Sequence, residues 1–310
     1  MFDFVRIETS TKQTKTGSIT TVYPEMVVCR SEDLMIRGGD FYAVWDEDNE
    51  VWSKDISRVA EIVDAAVYSR QHELSEALGE NVHALTMRSY SSGKWVAFQQ
   101  YCRNLPDSYH ELDSKVTFQD DVRSKEDYTS KRLPYSMQAV PTPAYDELMS
   151  VLYDPNERMK IEWALGSVIA GDSPKIQKFF VLYGSSGTGK STVLHIVEKM
   201  FEGYTGTFDA KSLGQSANQF SLEAFRDNPL VMIQHDGDLS RIEDNTRLNS
   251  IVSHETMLVN EKRKTQYSRE FRSMLFMGTN KPVFITDAKS GILRRLIDIS
   301  PTGNKIPISN

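Results

Sequence analysis

The chain has 310 residues, of which 39% are hydrophobic and 25% are charged, a composition typical of folded globular proteins. This length suits two domains, or one large domain with an extension. The formal net charge of -7 excludes a basic surface over the whole molecule, so contact with nucleic acid would require a local basic patch.

Cysteine usage and the apolar pattern indicate a cytoplasmic protein. Cys29 and Cys102 are spaced neither as metal ligands nor as a redox pair, so we expect two unpaired thiols in a reducing compartment. Residues 1–17 lack the apolar core of a secretory signal. Because no apolar run approaches the length of a membrane span, no membrane partner is expected.

Residues 1–130 are predicted to form an N-terminal mixed α/β accessory domain. Apolar and aromatic residues at 41–45 and 51–52 flank a polar turn, which predicts a β-hairpin. The turn, 46–50, contains four acidic residues. We interpret them as a solvated turn rather than a metal site, because no neighbouring ligand completes a coordination shell.

Helices follow this hairpin. Apolar side chains at helical spacing predict a helix beginning near Ile56, with Ser53 or Asp55 as its cap. Further helices are predicted at 70–79 and 94–103. No catalytic constellation is evident in this part of the chain.

Residues 131–173 are predicted to form a linker and a helical unit. The polar, proline-containing stretch 119–143 indicates a linker or a strapped-down extended segment. Helical patterns follow at 144–153 and 156–170, with a break at Pro155.

Residues 174–310 have the alternating pattern of an α/β domain. Strands are predicted at 176–183, 230–233 and 274–277, and a helix at 190–201 follows the first of them. This alternation is typical of a mostly parallel sheet flanked by helices.

The first strand leads into a complete phosphate-binding loop motif, GSSGTGKS. Its glycines allow backbone N–H groups to approach phosphate, and the following helix directs its positive end at the same place. Lys190 would contact the β and γ phosphates, and the Ser191 hydroxyl would ligate Mg²⁺. The alternative is a glycine-rich turn without a ligand. The predicted nucleotide-binding residues are Gly184, Ser185, Ser186, Gly187, Thr188, Gly189, Lys190, Ser191 and Thr192.

An acidic segment follows the second strand. Four apolar residues place Asp236 and Asp238 at its carboxyl end, where sheets of this class bind ligands. We predict Asp236 as the main catalytic carboxylate and Mg²⁺ ligand, with Asp238 assisting. The alternative is a plain turn after a core strand, and His235 is predicted to be structural.

Two further polar features lie downstream. Asn280 ends the strand after Thr279, where its side chain can reach the γ-phosphate or the attacking water, although a plain Asn-Lys-Pro turn is the alternative. Arg294 and Arg295 lie in an apolar segment. One of them can act on the nucleotide of a neighbouring subunit, and the alternative is an ordinary ion pair.

Residues 256–272 predict a β-hairpin with a basic tip. Lys262, Arg263 and Lys264 concentrate positive charge on an otherwise acidic chain, as binding to a phosphate backbone requires. A solvated charged tip is the alternative. Tyr267 can stack on a base, but packing between the arms is favoured.

The order of these motifs resembles the superfamily 3 helicases, and more closely the helicase part of phage and poxvirus-type primase-helicases. The resemblance extends over about 110–300. It implies a P-loop NTPase core of the AAA+-like type that uses ATP and Mg²⁺. It also implies a hexameric ring around single-stranded DNA, with the helices of 144–170 as a collar, in the host cytoplasm if the protein is phage-encoded.

On this resemblance Asn280 is the first sensor, Arg294 or Arg295 is the arginine finger and the tip of the hairpin contacts DNA. Asp236 stands where the family usually has glutamate, and His235 stands where a second acid is frequent. No primase module is recognised in the amino-terminal part, so we expect either a stand-alone helicase or part of a larger protein.

Three functions remain open from the sequence. An ATP-dependent DNA helicase or translocase of phage-type replication is favoured, with a primase or polymerase as a further partner. An AAA+-like loader or remodelling ATPase would keep the nucleotide site without unwinding DNA. A small-molecule kinase would also use a phosphate loop, but it would not need the basic hairpin.

Overall fold

The computed structural model describes residues 1–15, 17–37, 41–105, 109–215, 218, 220–238, 244–260, 266–281 and 291–305. The chain divides into two compact units. The first comprises 1–112 and 122–131, and the second comprises 113–121 and 132–310. In the described ranges, no helix is both long and apolar enough to cross a membrane.

In the part of the first unit that the structure describes, there are two small sheets and two α-helices. The β1–β2 hairpin is antiparallel and β6 runs parallel to β2, while β3, β4 and β5 form an antiparallel sheet. The predicted hairpin at 41–52 is confirmed as β4 and β5. The elements are β1 (Val5–Thr14), β2 (Gly17–Met26), β3 (Leu34–Arg37), β4 (Phe41–Asp46), β5 (Val51–Ser53), α1 (Arg58–Leu78), β6 (His83–Ala84) and α2 (Ser92–Arg103).

The acidic turn of this hairpin is only partly solvated. Asp46 is buried, and it accepts hydrogen bonds from Arg58 at 2.7 Å and 3.1 Å and from the Asn49 side chain at 2.8 Å. Burial opposes ionisation of Asp46, but these hydrogen bonds outweigh it and lower the pKa of the carboxyl group. Asp46 therefore anchors the hairpin to the start of α1.

Helix α1 is continuous where two helices were predicted, and that prediction was wrong. Val59, Val63 and Val67 lie four residues apart and are all buried, so the apolar stripe extends into the expected break, and the partly buried Leu74 lies beyond it. The helix ends at Gly79, which adopts a left-handed conformation with φ of 66°. The helix begins after Ser57 rather than at Ser53 or Asp55.

The proline-containing stretch is ordered although it forms little regular structure. Apart from a 3₁₀ turn at Lys125–Asp127, residues 113–142 are irregular. Within the second unit, the backbone N–H of Leu133 donates to Thr117 O at 2.8 Å, and the N–H of Thr117 donates to the Tyr204 hydroxyl oxygen at 3.1 Å. These bonds fit the second of the two predicted alternatives, an extended segment that is held against the domain.

The second unit is an α/β structure built on a five-stranded parallel sheet, as the sequence predicts. The strand order is β13, β7, β12, β9, β8. Helix α4 begins at Pro155, and the Asp154 carboxylate caps it by accepting from two backbone N–H groups. The elements are α3 (Pro143–Leu152), α4 (Pro155–Ile169), β7 (Phe179–Tyr183), α5 (Lys190–Met200), β8 (Thr205–Thr207), α6 (Ala210–Leu213), β9 (Val231–Gln234), α7 (Thr246–Val252), β10 (Thr256–Val259), β11 (Tyr267–Glu270), β12 (Met274–Thr279), α8 (Ile292–Arg295) and β13 (Leu296–Ile299).

The sheet is covered on both faces. In β7, Phe180 packs into one apolar cluster, with residues of α3, α4 and α5. Phe179 and Val181 pack into a second cluster, with residues of α6, α7 and β10. Burial on both faces explains why the strands are continuous apolar runs rather than alternating ones. Each fully buried side chain of this kind contributes about 1.5–3 kcal/mol to folding.

Candidate nucleotide and metal-ion site

Three polar segments meet at the carboxyl edge of the sheet. The glycine-rich loop follows β7, Asn280 follows β12, and Asp236 follows β9. β12 lies between β7 and β9 and is parallel to both. The N–H of Gly184 donates to Thr279 O at 3.2 Å, and the N–H of Gly237 donates to Gly278 O at 2.8 Å, so the three strand ends are joined beyond the regular ladder.

The loop 184–189 turns directly into α5. Gly187 and Gly189 have φ values of 80° and 85°, a region that favours glycine. At Gly189 an added Cβ would lie 2.6 Å from a methyl carbon of Leu152, so a larger residue would also collide with α3. The Thr188 hydroxyl donates to Ser185 O at 2.9 Å and closes the turn.

Lys190 is held inside the loop. Its side chain is buried, and Nζ donates to Gly184 O at 2.6 Å and to Ser185 O at 2.8 Å. Burial lowers the pKa of Lys190, while the negative charge of Asp236 opposes this shift. The arrangement therefore brings a cation and a carboxylate within electrostatic reach of each other at the mouth of the loop.

Several of the groups expected to meet a nucleotide are exposed, although Thr188 and Lys190 are buried. Ser185, Ser186 and Gly187 are exposed, and so is the first turn of α5 at Ser191 and Thr192. Asp236 is exposed as well. A hydroxyl and a carboxylate are hard oxygen donors of the kind that Mg²⁺ accepts, so Ser191 and Asp236 fit the predicted ion.

Asp238 is joined to a residue that the sequence analysis did not select. The Lys281 ammonium donates to Asp238 Oδ2 at 2.6 Å. The buried Thr279 hydroxyl accepts from the Lys281 N–H at 3.1 Å and fixes the turn after β12. Asn280, between them, is exposed. The signal in the sequence that could have identified Lys281 is its position just after a strand, because an acidic segment follows another strand of the same sheet.

The two adjacent arginines have different environments. Arg295 is buried, and it donates to the Ser253 hydroxyl at 2.6 Å and 2.9 Å and to Gly291 O at 3.1 Å. Burial and the neighbouring charge of Arg294 lower the pKa of Arg295. Arg294 is exposed. Of the two, only Arg294 has its side chain on the surface.

The hairpin arms are confirmed as the antiparallel pair β10 and β11. Tyr267 is partly buried and packs against the second core cluster, in agreement with a packing role. The tip residues Lys262, Arg263 and Lys264 lie outside the residues that the structure describes.

The segment after β13 borders the phosphate loop. No sequence pattern predicted this contact. A Cβ at Gly184 would lie 2.8 Å from Pro301 Cγ, and one at Gly187 would lie 3.8 Å from Lys305 Cε. The N–H of Thr302 donates to Leu152 O at 2.8 Å and anchors this segment to α3. Lys305 thus adds a second lysine beside the loop.

Residues 182–295 match a family described as a family of unknown function, DUF5906. No curated protein matches the chain. Two similar solved structures are apo forms of the NrS-1 C-terminal region, each with 13% sequence identity to this chain and a TM-score of 0.46. The A form matches over 84% of this chain and 56% of its own length. The other apo structure matches over 87% of this chain and 59% of its own length. The present chain therefore spans less than two thirds of the length of either.

Proposed function

We propose that the chain is an ATP-hydrolysing DNA translocase or helicase of the superfamily 3 type, which works as a hexameric ring on single-stranded DNA. The observation that carries the proposal is the meeting of Lys190, Asp236 and Asn280 at one edge of a parallel sheet. A phosphate-binding loop, a carboxylate and a polar side chain are the groups that nucleoside triphosphate hydrolysis requires.

Each residue has a defined task in this reaction. Lys190 exchanges its bonds to the loop carbonyls for phosphate oxygens and neutralises charge that develops in the transition state. Asp236 accepts a hydrogen bond from the attacking water and orients it, and Asn280 contacts the water or the γ-phosphate. Ser191 and Asp236 would hold Mg²⁺, which would supply further charge neutralisation. Arg294 is the arginine that reaches the neighbouring subunit, because Arg295 is committed to Ser253.

The first test is ATP hydrolysis with and without single-stranded DNA at low and moderate salt. Stimulation by DNA that fades as salt rises would indicate contact with the phosphate backbone and support translocation. Lys190→Ala should abolish turnover. Lys199→Ala is the matched control, because Lys199 lies on the same helix, is exposed and pairs only at the surface with Glu202.

The same assay separates the alternative function. Hydrolysis that is indifferent to DNA in assembled rings, or hydrolysis without strand displacement, would favour a loader or remodelling ATPase. Absence of hydrolysis in assembled wild-type rings would contradict both.

A further inference from the structure

A cluster of potential metal-binding side chains is formed by α5 and the segment that follows β9. His195 and Glu198 project from the helix, and His235 follows β9. One potential ligand atom from each lies within 4.8 Å of the others. His235 Nε2 is 2.9 Å from Glu198 Oε1, and the two imidazole centroids are 4.6 Å apart.

These separations are close to those of a small coordination sphere. With metal–ligand bonds of about 2.0–2.1 Å, the ligand atoms of a tetrahedral site lie about 3.3 Å apart. His195 and Glu198 are spaced i and i+3, so they share a face of the helix. Separations of up to 4.8 Å must therefore shorten by about 1.5 Å at most, a change that small movements of both side chains in a pair can share.

The chemistry of the donors distinguishes this cluster from the predicted magnesium site. Two imidazoles and one carboxylate suit Zn²⁺ and neighbouring transition ions, whereas Mg²⁺ prefers oxygen ligands. Ser191 lies four residues before His195, so about 6 Å of helix separates the nearest helical members of the two sets of ligands. Among the described residues, no lysine or arginine forms an ion pair with Glu198, whose partner is His235.

We propose that His195, Glu198 and His235 form a transition-metal site of the Zn²⁺ class, with water as the fourth ligand. The metal would fasten α5 to the segment that begins with His235 and continues to Asp236. It would thereby fix the helix that follows the phosphate loop relative to the acidic strand. The proposal does not depend on the identity of the nucleotide or on DNA binding.

Cobalt provides the direct test, because four-coordinate Co²⁺ absorbs visible light and occupies zinc sites. The full chain, freed of metal by a chelator and without nucleotide, should take up one equivalent of Co²⁺ with a visible band that Zn²⁺ abolishes. His195→Ala removes an exposed ligand and should weaken binding by at least about 100-fold, since loss of even an outer-shell partner costs 10- to 100-fold. Glu198→Gln should abolish the rise in melting temperature caused by Zn²⁺.

Two controls make the result decisive. His72→Ala removes a histidine that lies 3.5 Å from Glu76 on α1, where the described residues supply no third ligand, and it should leave the band unchanged. Ser191→Ala should also retain the band, which would exclude the nucleotide site as its origin. The absence of a band in the wild-type chain, or equal Co²⁺ affinity in His195→Ala, would overturn the proposal.

Discussion

The Lys281 ammonium donates a hydrogen bond to Asp238 Oδ2 at 2.6 Å and so joins the segment after β12 to the segment after β9. Asn280 immediately precedes the lysine, and Asp236 lies two residues before the aspartate. The pair therefore restricts the movement of two predicted site residues relative to each other. Because Lys281 is 62% exposed, the pair contributes less than about 1 kcal/mol to stability, and its effect is positional.

Breaking this pair should reduce turnover more than stability. Lys281→Met and Asp238→Asn should each lower kcat for ATP by about 10- to 100-fold, because small displacements of reacting groups are costly. The double variant should be no slower than the slower single variant, since both changes remove one interaction. Steady-state hydrolysis and urea unfolding check these outcomes, with Lys199→Met as the control. Multiplicative effects on kcat would show that the two residues act separately.

The paired arginines should separate into a structural and a functional residue. Arg295→Met should reduce the free energy of unfolding by about 2 kcal/mol, because it removes charged hydrogen bonds from a buried position. Arg294→Ala should change stability by less than about 0.5 kcal/mol and lower kcat in assembled rings by about 10³-fold or more. Denaturant titration and ATP hydrolysis, measured on both variants, test this division. The reverse pattern would assign the finger to Arg295.

If Arg294 acts on a neighbouring subunit, two inactive variants should complement each other. In mixed rings, a protomer with Arg294→Ala retains Lys190, and a neighbour with Lys190→Ala retains Arg294. Such an interface contains both groups, so hydrolysis should reappear on mixing. Mixed rings that remain inactive, with their composition verified, would contradict action between subunits.

The predictable parts of the molecule are those encoded by local patterns. The phosphate loop and α5 follow from a contiguous motif and an apolar stripe, and Pro155 is a local stop and start signal. By contrast, the position of β12 between β7 and β9 depends on hydrogen bonds between strands that are distant in sequence.

Long-range contacts also explain what the sequence did not reveal at the site. The Lys281 pair and the approach of Lys305 to the loop depend on how separate segments fold together. The predicted break in α1 was wrong because the continuation of its buried stripe through Val67 outweighs the polar residues that follow it. Arg294 and Arg295 look equivalent in sequence, and only the burial of one side chain distinguishes them.

The two left-handed glycines of the phosphate loop should tolerate substitution differently. Gly187→Ala should cost about 1–2 kcal/mol, the strain of a left-handed alanine, because the nearest atom to the new Cβ is the flexible end of Lys305 at 3.8 Å. Gly189→Ala adds a collision with Leu152 and should cost more. Urea unfolding of both variants tests the order, and Gly189→Ala in a Leu152→Ala background should recover part of the difference. Equal losses would place the cost in backbone strain alone.

The buried Cys102 thiol should make the folding stability of the protein decrease as pH rises in the alkaline range. Burial raises the pKa of the Cys102 thiol to about 11 from its ordinary value of 9.0. Above pH 9 the unfolded chain therefore loses the thiol proton while the folded chain retains it, so stability falls as pH rises. The stability of the wild-type chain relative to Cys102→Val should stay constant below pH 8 and decline above pH 9. A difference that does not change across this range would contradict the raised pKa.

The basic hairpin should couple DNA to hydrolysis without contributing to the basal reaction. Lys262→Ala with Lys264→Ala should remove stimulation by single-stranded DNA and preserve basal turnover. The slope of log DNA affinity against log salt concentration should become shallower by about 1–2, as the loss of two phosphate contacts requires. Lys12→Ala with Lys15→Ala is a charge-matched control at the end of the β1–β2 hairpin, where both lysines are exposed. Hydrolysis and DNA binding, measured over a range of salt, provide the readouts. Loss of basal turnover in intact rings, or an equal effect of the control, would mean that the hairpin does not have this role.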